Sequence, residues 1–331
     1  HEVELLERDD TPLPADAAGA FAWNRHGAPQ VRHTHAFLAR LRNLLRDRHP
    51  DVLAALLDAG ATELRFLEML PEEMDRTPMP GDEDLVALSC RRTTFEWVLH
   101  RLVADQPGVR FRHGVAVRRL LGTTPAIGVP QVTGVELHDG TELAADLVVA
   151  AGGRRQPVPD LLAPLGVEVA EDVEDTGIVY FSRFFQLCDG QAPPRQVGPV
   201  GGDLGYLKYG VFLGDNRTLS ITLAARTTDD ELRARLRDHD VFERVAAALP
   251  ATQPYMVAGL AEPISDVEVM AGRLNRRRRF TDRDGAPLVH GFVAVGDAHT
   301  CTNPLYGRGC SLAVVQAQLL ADALDSVPEA G

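Results

Sequence analysis

Lysine is almost absent from the sequence: Lys208 is the only one among 331 residues, and all other basic residues counted as Lys or Arg are arginine. Acidic residues number 47 against 34 basic ones, which gives a net charge of −13 at pH 7. An acidic chain is a poor ligand for nucleic acid and for anionic lipid surfaces, because both carry negative charge. We therefore expect no nucleic-acid partner and no electrostatic attachment to a membrane.

Cysteine and long apolar runs are scarce as well. The four cysteines are Cys90, Cys188, Cys301 and Cys310, and none of them forms a C-x-x-C pair. A chain of this length needs no disulfide framework, so we expect a reducing, cytoplasmic setting. The sequence has no uninterrupted run of 18 apolar residues and predicts no membrane-spanning helix.

The sequence does contain a β-rich block between two stretches of nucleotide-binding pattern. Apolar residues make up 45% of the chain, enough for a sizeable core. The expected elements, in chain order, are a buried strand at 3–7, two helices at 33–58 broken at Pro50, a helix at 93–103, a buried strand at 146–151, antiparallel strands within 177–226, a helix at 229–249 and a closing helix. This order predicts an α/β fold in which a β-sheet domain is inserted into a nucleotide-binding domain.

The segment VGDAHTCTNPLYGRGCS, residues 295–311, joins a buried strand to the closing helix through a bare polar loop. The strand stops at Gly296 and Asp297, and the helix is expected to begin at 309–311. A helix N-terminus offers unpaired N–H groups and a partial positive charge, while glycine lets a ligand touch the backbone. The Asp297 carboxylate can accept hydrogen bonds from hydroxyl groups. A flavin meets all three features, and the alternative is a plain strand–loop–helix turn.

Four segments together resemble the FAD-dependent monooxygenase superfamily, which contains aromatic hydroxylases, squalene epoxidase and polyether-type epoxidases. These segments are GDAHTCTNPLYGRG, ADLVVAAGGRRQ, CRRTTFEWVLHRLV and VELLER. The resemblance implies a Rossmann-like FAD-binding domain of the glutathione-reductase type with an inserted β-sheet substrate domain. Because the second segment reads Gly152-Gly153-Arg154, the resemblance is nearest to the bacterial epoxidase-like branch.

The resemblance also assigns single residues to FAD. Glu7, at the end of the second nucleotide-fold strand, would accept the ribose hydroxyls. Arg92 would lie near the phosphates, with Arg91 as its rival, and the backbone of Val117 would meet the adenine. Asp297 would hold the ribityl chain. The loop residues expected at the flavin are Pro304, Gly307, Arg308, Gly309 and Cys310.

The family begins with a strand and a G-x-G-x-x-G turn that binds the pyrophosphate at a helix N-terminus. No such turn stands before VELLER, so we expect the first strand and the GxGxxG turn to be missing from this chain. The resemblance implies a discontinuous FAD-binding domain at residues 1–48, 86–156 and 288–331. The substrate domain is then expected at 49–85 and 157–287.

The stretch GAPQVRHTHAFLAR resembles a segment of the bacterial epoxidase-like relatives. Gln30, Arg32, His33 and His35 are candidates for lining the flavin or the substrate entrance. A polar helix N-terminus is the alternative. A metal site would need a third ligand beside the two histidines, and none is evident, so we predict no metal.

Aromatic residues of the β-rich block are candidates for an apolar substrate pocket. We predict that Phe181, Phe185 and Tyr209 bind substrate, with core packing as the alternative for each. No acid–base dyad is evident, so no catalytic residue is predicted. The four arginines at 276–279 are expected to form salt bridges or to lie on a solvated strand edge, not to bind nucleic acid.

The resemblance implies an FAD-dependent monooxygenase that inserts one oxygen atom from O₂ into an apolar small molecule, by hydroxylation or epoxidation, in secondary metabolism. NADPH or NADH would supply the electrons. One alternative is a flavin-dependent reductase of isoprenoid double bonds, similar to geranylgeranyl reductases, and another is a truncated, non-catalytic flavin-fold protein. A flavin halogenase is disfavoured, because the W-x-W-x-I-P motif is absent and Lys208 is the only lysine. The sequence leaves the oligomeric state open.

Overall fold

Seven helices and eighteen strands form in the part of the chain that the computed structural model describes, residues 2–272 and 274–326. The helices are Ala39–Arg48 (α1), Pro50–Asp58 (α2), Arg92–Ala104 (α3), Val158–Leu162 (α4), Asp230–Arg235 (α5), His239–Ala248 (α6) and Gly309–Asp325 (α7). The strands are Val3–Glu7 (β1), Thr62–Arg65 (β2), Val86–Ser89 (β3), Val109–His113 (β4), Val117–Thr123 (β5), Gln131–Leu137 (β6), Glu142–Ala144 (β7), Val148–Ala150 (β8), Ala170–Asp175 (β9), Ile178–Leu187 (β10), Gly201–Asp203 (β11), Leu207–Leu213 (β12), Thr218–Arg226 (β13), Ala261–Pro263 (β14), Glu268–Met270 (β15), Leu274–Arg279 (β16), Phe292–Ala294 (β17) and Thr300–Cys301 (β18). None of these described helices is both long enough and apolar enough to cross a lipid bilayer. The outermost residues of the predicted FAD-binding domain, 1 and 327–331, lie outside the described residues.

Two pairs of parallel strands carry the nucleotide-binding pattern. β1 lies beside β4, with Leu5 opposite Phe111, and β8 lies beside β17, with Ala150 opposite Ala294. The carboxyl ends of parallel strands face the crevice in which open α/β sheets bind their ligands. Within the described residues the two pairs are not hydrogen-bonded to each other. The predicted α/β class is confirmed, whereas the missing first strand and its glycine turn stay a prediction.

A six-stranded antiparallel sheet forms the β-rich block. Its strands follow the order β11-β12-β13-β10-β14, and β15 also pairs with β10. One face of this sheet is a hydrophobic core, in which Phe181 and Leu223 pack with Phe242 of α6. Side chains alternate along a strand, so Ser182 and Phe184 lie on the opposite face. That second face is turned toward the loop before α1.

Helices α1, α2 and α3 meet on a second hydrophobic cluster, in which Leu41, Leu56 and Phe95 are buried. α2 therefore packs with the helices on either side of it in sequence, although residues 50–58 fall inside the predicted substrate domain. A third cluster joins β8 and β17 to β5, β6 and α4. The division of the chain into two domains stays a prediction.

The arginine run at 276–279 lies on β16, the middle strand of a three-stranded sheet. Its neighbour β9 has the sequence AEDVED, which places acidic residues beside the arginines. Arg278 forms an ion pair with Glu171 at 2.7 Å, and Arg279 forms one with Asp172 at 3.0 Å. The predicted salt bridges are confirmed.

The helix predicted at 229–249 is wrong in its continuity, because the structure has two helices there, α5 and α6. The Asp238 side chain accepts a hydrogen bond from the Val241 N–H at 3.0 Å and so begins a new helix. An aspartate at this position satisfies one of the unpaired N–H groups of the first turn. The short side chain thus interrupts a pattern that is apolar at helical spacing on both sides.

The helix predicted from residue 33 begins later, at Ala39. The residues before it are not helical, and Phe37 instead forms an isolated β-bridge with Leu88. The break between the first two helices is confirmed, since Pro50 opens α2. The stretch around His33 is therefore not a polar helix N-terminus.

Candidate functional site

Glu7 ends β1 and is held by two hydrogen bonds. Its Oε1 accepts from the Asp9 N–H at 3.0 Å, and its Oε2 accepts from Nη2 of Arg25 at 3.1 Å. The loop after β4 reaches the same point, because the Val115 N–H donates to the Glu7 carbonyl at 3.1 Å. Val117 follows two residues later at the start of β5. The structure thus brings Glu7 and Val117, two residues predicted to bind the adenosine part of FAD, into one corner.

Arg92 is the first residue of α3 and extends these contacts toward the end of the chain. Its Nε donates to Glu96 Oε1 at 2.8 Å, and the other oxygen of Glu96 lies 3.3 Å from Nε of Arg25. Nη1 of Arg92 also donates to Sγ of Cys310, in the first turn of α7. A continuous set of contacts, here named the ionic chain, therefore runs Glu7–Arg25–Glu96–Arg92–Cys310.

Three members of the ionic chain are residues that the sequence assigns to FAD. They come from three separate segments, β1, α3 and α7, and only the fold brings them together. The sequence reasoning missed the two linking members, Arg25 and Glu96. Arg25 lies in none of the four segments that resemble the monooxygenase superfamily. Glu96 stands in the arginine-plus-helix segment four residues after Arg92, a spacing that favours an ion pair on a helix.

Arg91 has a different role from its neighbour Arg92. Its Nη2 lies 2.6 Å from Oδ2 of Asp215, and its backbone N–H donates to Oδ1 at 2.7 Å. Asp215 is fully buried and also accepts from the Thr94 hydroxyl at 2.6 Å. Burial alone would raise the pKa of Asp215, but the hydrogen bonds from Arg91 and Thr94 outweigh it, and the pKa lies below its usual value. Arg91 is thus committed to a buried ion pair, and Arg92 is the arginine that reaches the candidate site.

The contact between Arg92 and Cys310 brings two helix N-termini together. α3 has 13 residues and α7 has 17, and no side chain caps either one. Beside these starts, Oγ1 of Thr93 and Oγ of Ser311 are buried and have no hydrogen-bond partner within the described residues. Buried polar groups are normally paired, and helix N-termini favour anionic and electron-rich groups. The site is therefore suited to a ligand that exchanges hydrogen bonds with both helix ends.

The loop before α7 contains two glycines for which the structure gives different reasons. Gly307 has a φ of +61°, and a Cβ there would lie 3.3 Å from the Cβ of Ala36. Gly309 opens the helix, and a Cβ there would meet only Oγ1 of Thr302, at 3.9 Å. Gly307 therefore permits a left-handed backbone and a close approach, whereas Gly309 leaves open space at the helix start.

The same loop is tied to the six-stranded sheet through Asn303. The Tyr180 hydroxyl on β10 donates to Asn303 Oδ1 at 2.6 Å, and the Asn303 N–H donates to Oδ1 of Asn275 at 2.7 Å. The turn Pro304–Tyr306 follows at once, and Arg308 covers the ring of its last residue at 4.9 Å. Tyr180 and Asn303 are positions that the sequence reasoning missed, because they lie 123 residues apart.

Asp297 lies in a short turn, Gly296–Ala298, directly after β17. Burial disfavours the charged form of Arg92, but Cys310, Glu96 and Asp297 outweigh burial, and the pKa of Arg92 is raised. Burial raises the pKa of the Cys310 thiol, and the opposing effect of Arg92 does not reverse the rise. At neutral pH the site therefore presents a fixed cation and an uncharged thiol, which excludes Cys310 as an activated nucleophile.

The donors and acceptors of this site fit FAD. A strand-end carboxylate, Glu7, suits a pair of ribose hydroxyls, and the Arg92 guanidinium suits a phosphate. Asp297 offers acceptors for the ribityl hydroxyls. The open space at Gly309 and the unpartnered Ser311 hydroxyl stand where the electron-rich edge of a flavin ring would gain from the N-terminus of α7. The individual assignments stay predictions.

The predicted substrate residues lie on the other side of the sheet. Phe181 and Phe185 are 0% and 2% exposed in the core face, and Tyr209 packs against the same cluster. Their placement favours core packing, the alternative role. The opposite face borders a narrow pocket whose enclosed space, about 10 Å³, holds about one water molecule. Its lining residues are His33, His35, Cys90, Arg91, Phe184, Phe212, Leu213, Gly214, Thr218, Leu219 and Ser220.

The structure separates the four polar candidates that precede α1. His33 and His35 both line the narrow pocket. Gln30 and Arg32 stand in the turn Pro29–Arg32, and the Arg32 side chain is 55% exposed in a surface ion pair. Among the described residues, no group of three His, Cys, Asp or Glu side chains could hold a metal ion.

Comparison with curated proteins gives one long match and several partial ones. The chain is 30% identical to Protein Rv3254 of Mycobacterium tuberculosis strain H37Rv over an alignment of 349 residues. The alignment covers 97% of this chain and 68% of that protein. It is 30% identical over 257 residues to a D-amino acid dehydrogenase of Methylobacterium sp. strain 4-46, covering 74% of this chain and 50% of that enzyme. The chain thus spans two thirds of the first relative and half of the second. No protein-family model matches the chain.

Solved structures share the fold at low sequence identity. PqsL of Pseudomonas aeruginosa, in complex with 2-aminobenzoylacetate, has a TM-score of 0.62 at 16% identity, covering 98% of this chain and 86% of that one. Another structure of PqsL describes it as a probable FAD-dependent monooxygenase. The myxobacterial chondrochloren halogenase CndH, a FAD-dependent halogenase, has a TM-score of 0.62 at 15% identity, covering 97% and 73%. The chain therefore belongs to the same family as Protein Rv3254, and it shares the fold of FAD-dependent monooxygenases and halogenases.

Proposed function

We propose that this protein is an FAD-dependent monooxygenase that inserts one oxygen atom from O₂ into an apolar small molecule, by hydroxylation or epoxidation. NADPH or NADH is the proposed electron donor, and secondary metabolism is the proposed setting. The observation that carries the proposal is the ionic chain, because it joins Glu7, Arg92 and Cys310 at the meeting point of two uncapped helix N-termini. FAD, when bound there, supplies the oxygen-transfer chemistry.

In this proposal the protein's own residues bind and orient the parts of FAD. Glu7 accepts the ribose hydroxyls, Arg92 neutralises phosphate charge and Asp297 accepts from the ribityl chain. The amino end of α7 stabilises negative charge on the flavin ring through its partial positive charge.

A small organic substrate has support from the fold neighbour that binds one. PqsL was solved with 2-aminobenzoylacetate, a small molecule, and it has the same fold as this chain. Transfer of that property to this protein is part of the proposal, since the two chains are only 16% identical.

The function is tested by colour and oxygen uptake. The purified protein is expected to be yellow with a flavin absorbance spectrum, and to consume O₂ when NADPH and a substrate are supplied. Arg92→Gln is expected to lower the flavin content, and Arg101→Gln, on the same helix and stacked on Trp97 at 4.7 Å, serves as the matched control. A protein that stays colourless after incubation with FAD would contradict the proposal.

A dehydrogenase is the second candidate, because the chain also matches D-amino acid dehydrogenases over 74% and 67% of its length. Under this alternative the yellow protein would oxidise a D-amino acid in the absence of O₂ and pass the electrons to an artificial dye. An isoprenoid reductase would instead consume NADPH and alkene with no oxygen uptake. The oxygen electrode therefore separates the monooxygenase from both alternatives.

The position of the single lysine, Lys208, gives little support to a halogenase role. Lys208 lies on β12 and forms an ion pair with Asp203 of the neighbouring strand β11. Its side chain is part of the surface edge of the six-stranded sheet. Lys208 is therefore paired with Asp203 and is not a member of the ionic chain. It is also absent from the lining of the narrow pocket.

A further inference from the structure

The loop that opens α7 is joined to two different sheets through one residue, Asn303. Its Oδ1 accepts a hydrogen bond from the Tyr180 hydroxyl on β10 at 2.6 Å, and its backbone N–H donates to Oδ1 of Asn275 on β16 at 2.7 Å. β10 belongs to the six-stranded sheet and β16 to the three-stranded sheet. Asn303 is only 8% exposed, so water competes little for these hydrogen bonds. The two sheets together therefore determine where Asn303 lies.

The Tyr180 hydroxyl is a donor whose own position is fixed by packing. Ala224 and Met270 stand directly opposite Tyr180 on the two neighbouring strands, and the three residues form a small buried cluster. Because an amide oxygen can only accept, the hydroxyl donates its single proton to Asn303. Tyr180 thus presents a fixed hydrogen-bond donor to the loop before α7.

Asn303 determines how the turn after it begins. The same Oδ1 accepts from the Leu305 N–H at 3.0 Å and so caps the turn Pro304–Tyr306. Pro304 has a fixed φ and the cap holds Leu305, so the segment between Asn303 and the helix has few alternative paths. A shift of Asn303 therefore moves the start of α7.

The start of α7 carries groups that the proposed flavin site uses. No side chain caps this helix, so the N–H groups of its first turn and their partial positive charge are available to a ligand. Cys310 in the same turn accepts a hydrogen bond from Nη1 of Arg92. A reduced flavin carries more negative charge than an oxidised one, and the effect of a helix end falls off within one turn. The place of the helix start therefore affects the free-energy difference between reduced and oxidised flavin.

We infer that Tyr180 is a positioning residue for the flavin: its hydroxyl holds Asn303 and thereby sets where the N-terminus of α7 meets the flavin ring. Tyr180 acts through Asn303 and needs no contact of its own with the flavin. Without the hydroxyl, Asn303 is held by Asn275 alone, and both the affinity for FAD and the reduction potential of the bound flavin fall. The inference rests on the proposed function, since FAD is the cofactor of that proposal.

The reduction potential of the bound flavin tests the inference in Tyr180→Phe, which keeps the ring and removes only the hydroxyl. The potential is measured by reduction of the FAD-loaded protein in equilibrium with a reference dye. We expect the ratio of reduced to oxidised flavin at a fixed potential to fall about threefold, which is about 15 mV for a two-electron couple. We expect the affinity for FAD to fall about three- to tenfold, the effect of one buried hydrogen bond.

Tyr255→Phe is the matched control. Tyr255 is also buried, and its hydroxyl donates to Oε1 of Gln196 at 2.8 Å, but its ring packs in the core on the other face of the same sheet. Chemical denaturation is expected to show a similar loss of stability in both tyrosine variants. The flavin potential and the FAD affinity should change only in Tyr180→Phe.

Hydrogen exchange tests the hold on the loop without any flavin. In the FAD-free protein we expect the amides of residues 303–311 to exchange about three- to tenfold faster in Tyr180→Phe, and at the original rate in Tyr255→Phe. Asn303→Ala removes the acceptor of the Tyr180 hydroxyl. Adding Tyr180→Phe to Asn303→Ala should therefore cause no further change in exchange or in potential.

The outcomes separate this inference from the proposed function. A yellow protein in which Tyr180→Phe leaves the potential and the FAD affinity unchanged overturns the inference alone. Equal shifts in Tyr255→Phe also overturn it, because a general loosening of the sheet would then explain them. A protein that takes up no FAD overturns the proposed function, and the exchange measurement then supports or overturns the hold of Tyr180 on the loop.

Discussion

At the scale of single residues, Arg92 is the side chain on which the candidate flavin site depends most. It contacts Glu96 on its own helix and Cys310 on α7, so one guanidinium holds two helix N-termini together. We expect Arg92→Gln to weaken FAD binding about 10- to 100-fold, because hydrogen bonds to charged groups contribute about 1.5–3 kcal/mol. Fluorescence titration of the protein with FAD measures the change.

The control for Arg92 is Arg101→Gln, which removes an arginine from the far end of the same helix. Its FAD affinity is expected to match that of the unaltered protein within about twofold. Equal losses in both variants would show that the charge of α3 as a whole, and not the contact at its first residue, determines binding.

The buried pair of Arg91 and Asp215 gives a second prediction at this scale. Asp215→Asn leaves a buried guanidinium without its counter-charge, so we expect the free energy of unfolding to fall by about 3–5 kcal/mol. The pKa of Asp215 is depressed below its usual value of 3.8, so the pair stabilises the fold fully above about pH 4. That stabilisation is lost as the pH falls through the depressed pKa.

Urea unfolding at pH 6 and at pH 3 measures both effects of Asp215→Asn. The variant is expected to lose less stability between these pH values than the unaltered protein, since it lacks the titrating carboxylate. Asp189→Asn, in an exposed loop, is the control and should change neither quantity by more than about 0.5 kcal/mol. An identical pH dependence with and without Asp215 would contradict the assigned direction of the pKa.

Residue roles could be predicted from the sequence only where a motif fixes them. Glu7, Arg92 and Cys310 follow from the resemblance, and the structure brings them together in the ionic chain. Arg91 and Arg92 could not be separated, because they are neighbours and the deciding partner, Asp215, lies 124 residues away from the first of them. Tertiary contacts of that range leave no local pattern.

At the scale of elements, the loop that opens α7 depends on a left-handed glycine. Gly307→Ala places a Cβ at a φ of +61° and 3.3 Å from Ala36, so the loop must shift. We expect a loss of about 1–2 kcal/mol in the free energy of unfolding together with weaker FAD binding, because the loop borders the candidate flavin site. Chemical denaturation and FAD titration measure the two effects.

Gly190→Ala is a matched control for the backbone strain of Gly307→Ala. Gly190 has a φ of +76°, and a Cβ there would meet no atom within 4 Å. It should lose a similar amount of stability with no change in FAD affinity. If both variants bind FAD as well as the unaltered protein does, Gly307 serves the turn alone.

Elements were easier to predict than the faces they present. The strands β10, β12 and β13 and the start of α7 lie where the periodicity places them. The break between α5 and α6 was not visible, since one capping aspartate, Asp238, ends the regular pattern. Alternation along β10 predicts two faces, but only the packing of Phe242 shows that Phe181 is on the core side.

At the scale of the whole molecule, two histidines make stability depend on pH. Burial lowers the pKa of His100, and His113 and Arg25 lower it further against a smaller raising effect of Glu7. Burial also lowers the pKa of His299. Both folded pKa values lie below the usual 6.5, so the unfolded chain binds more protons just below that pH. Stability is therefore complete above about pH 6.5 and declines as the pH falls toward the folded pKa values.

The double variant His100→Gln with His299→Gln tests this pH dependence. The melting temperature of the unaltered protein is expected to fall from pH 7.5 to pH 5.5, and the double variant should show a smaller fall. His138→Gln, exposed at the end of β6, is the control. A control that flattens the profile as much as the double variant does would contradict the assignment to His100 and His299.

The fold class of the whole molecule could be predicted because it depends on sequence patterns that extend over long stretches of the chain. Parallel-strand patterns at both ends and an antiparallel block between them survive errors of several residues at each boundary. The way in which helices α1 and α2 pack with α3 could not be predicted, because it depends on which apolar stripes meet, as Leu41, Leu56 and Phe95 do.

The hydrogen bond from Tyr180 to Asn303 joins the loop before α7 to the strand that borders the narrow pocket. Tyr180, Ser182 and Phe184 alternate onto one face of β10, so a substrate that contacts this face would also order the strand that anchors Asn303. Linkage between two sites is reciprocal, so a substrate that strengthens FAD binding must itself bind more tightly, by the same factor, when FAD is present. We expect the rate of FAD dissociation to be lower for the substrate-bound protein than for the substrate-free protein.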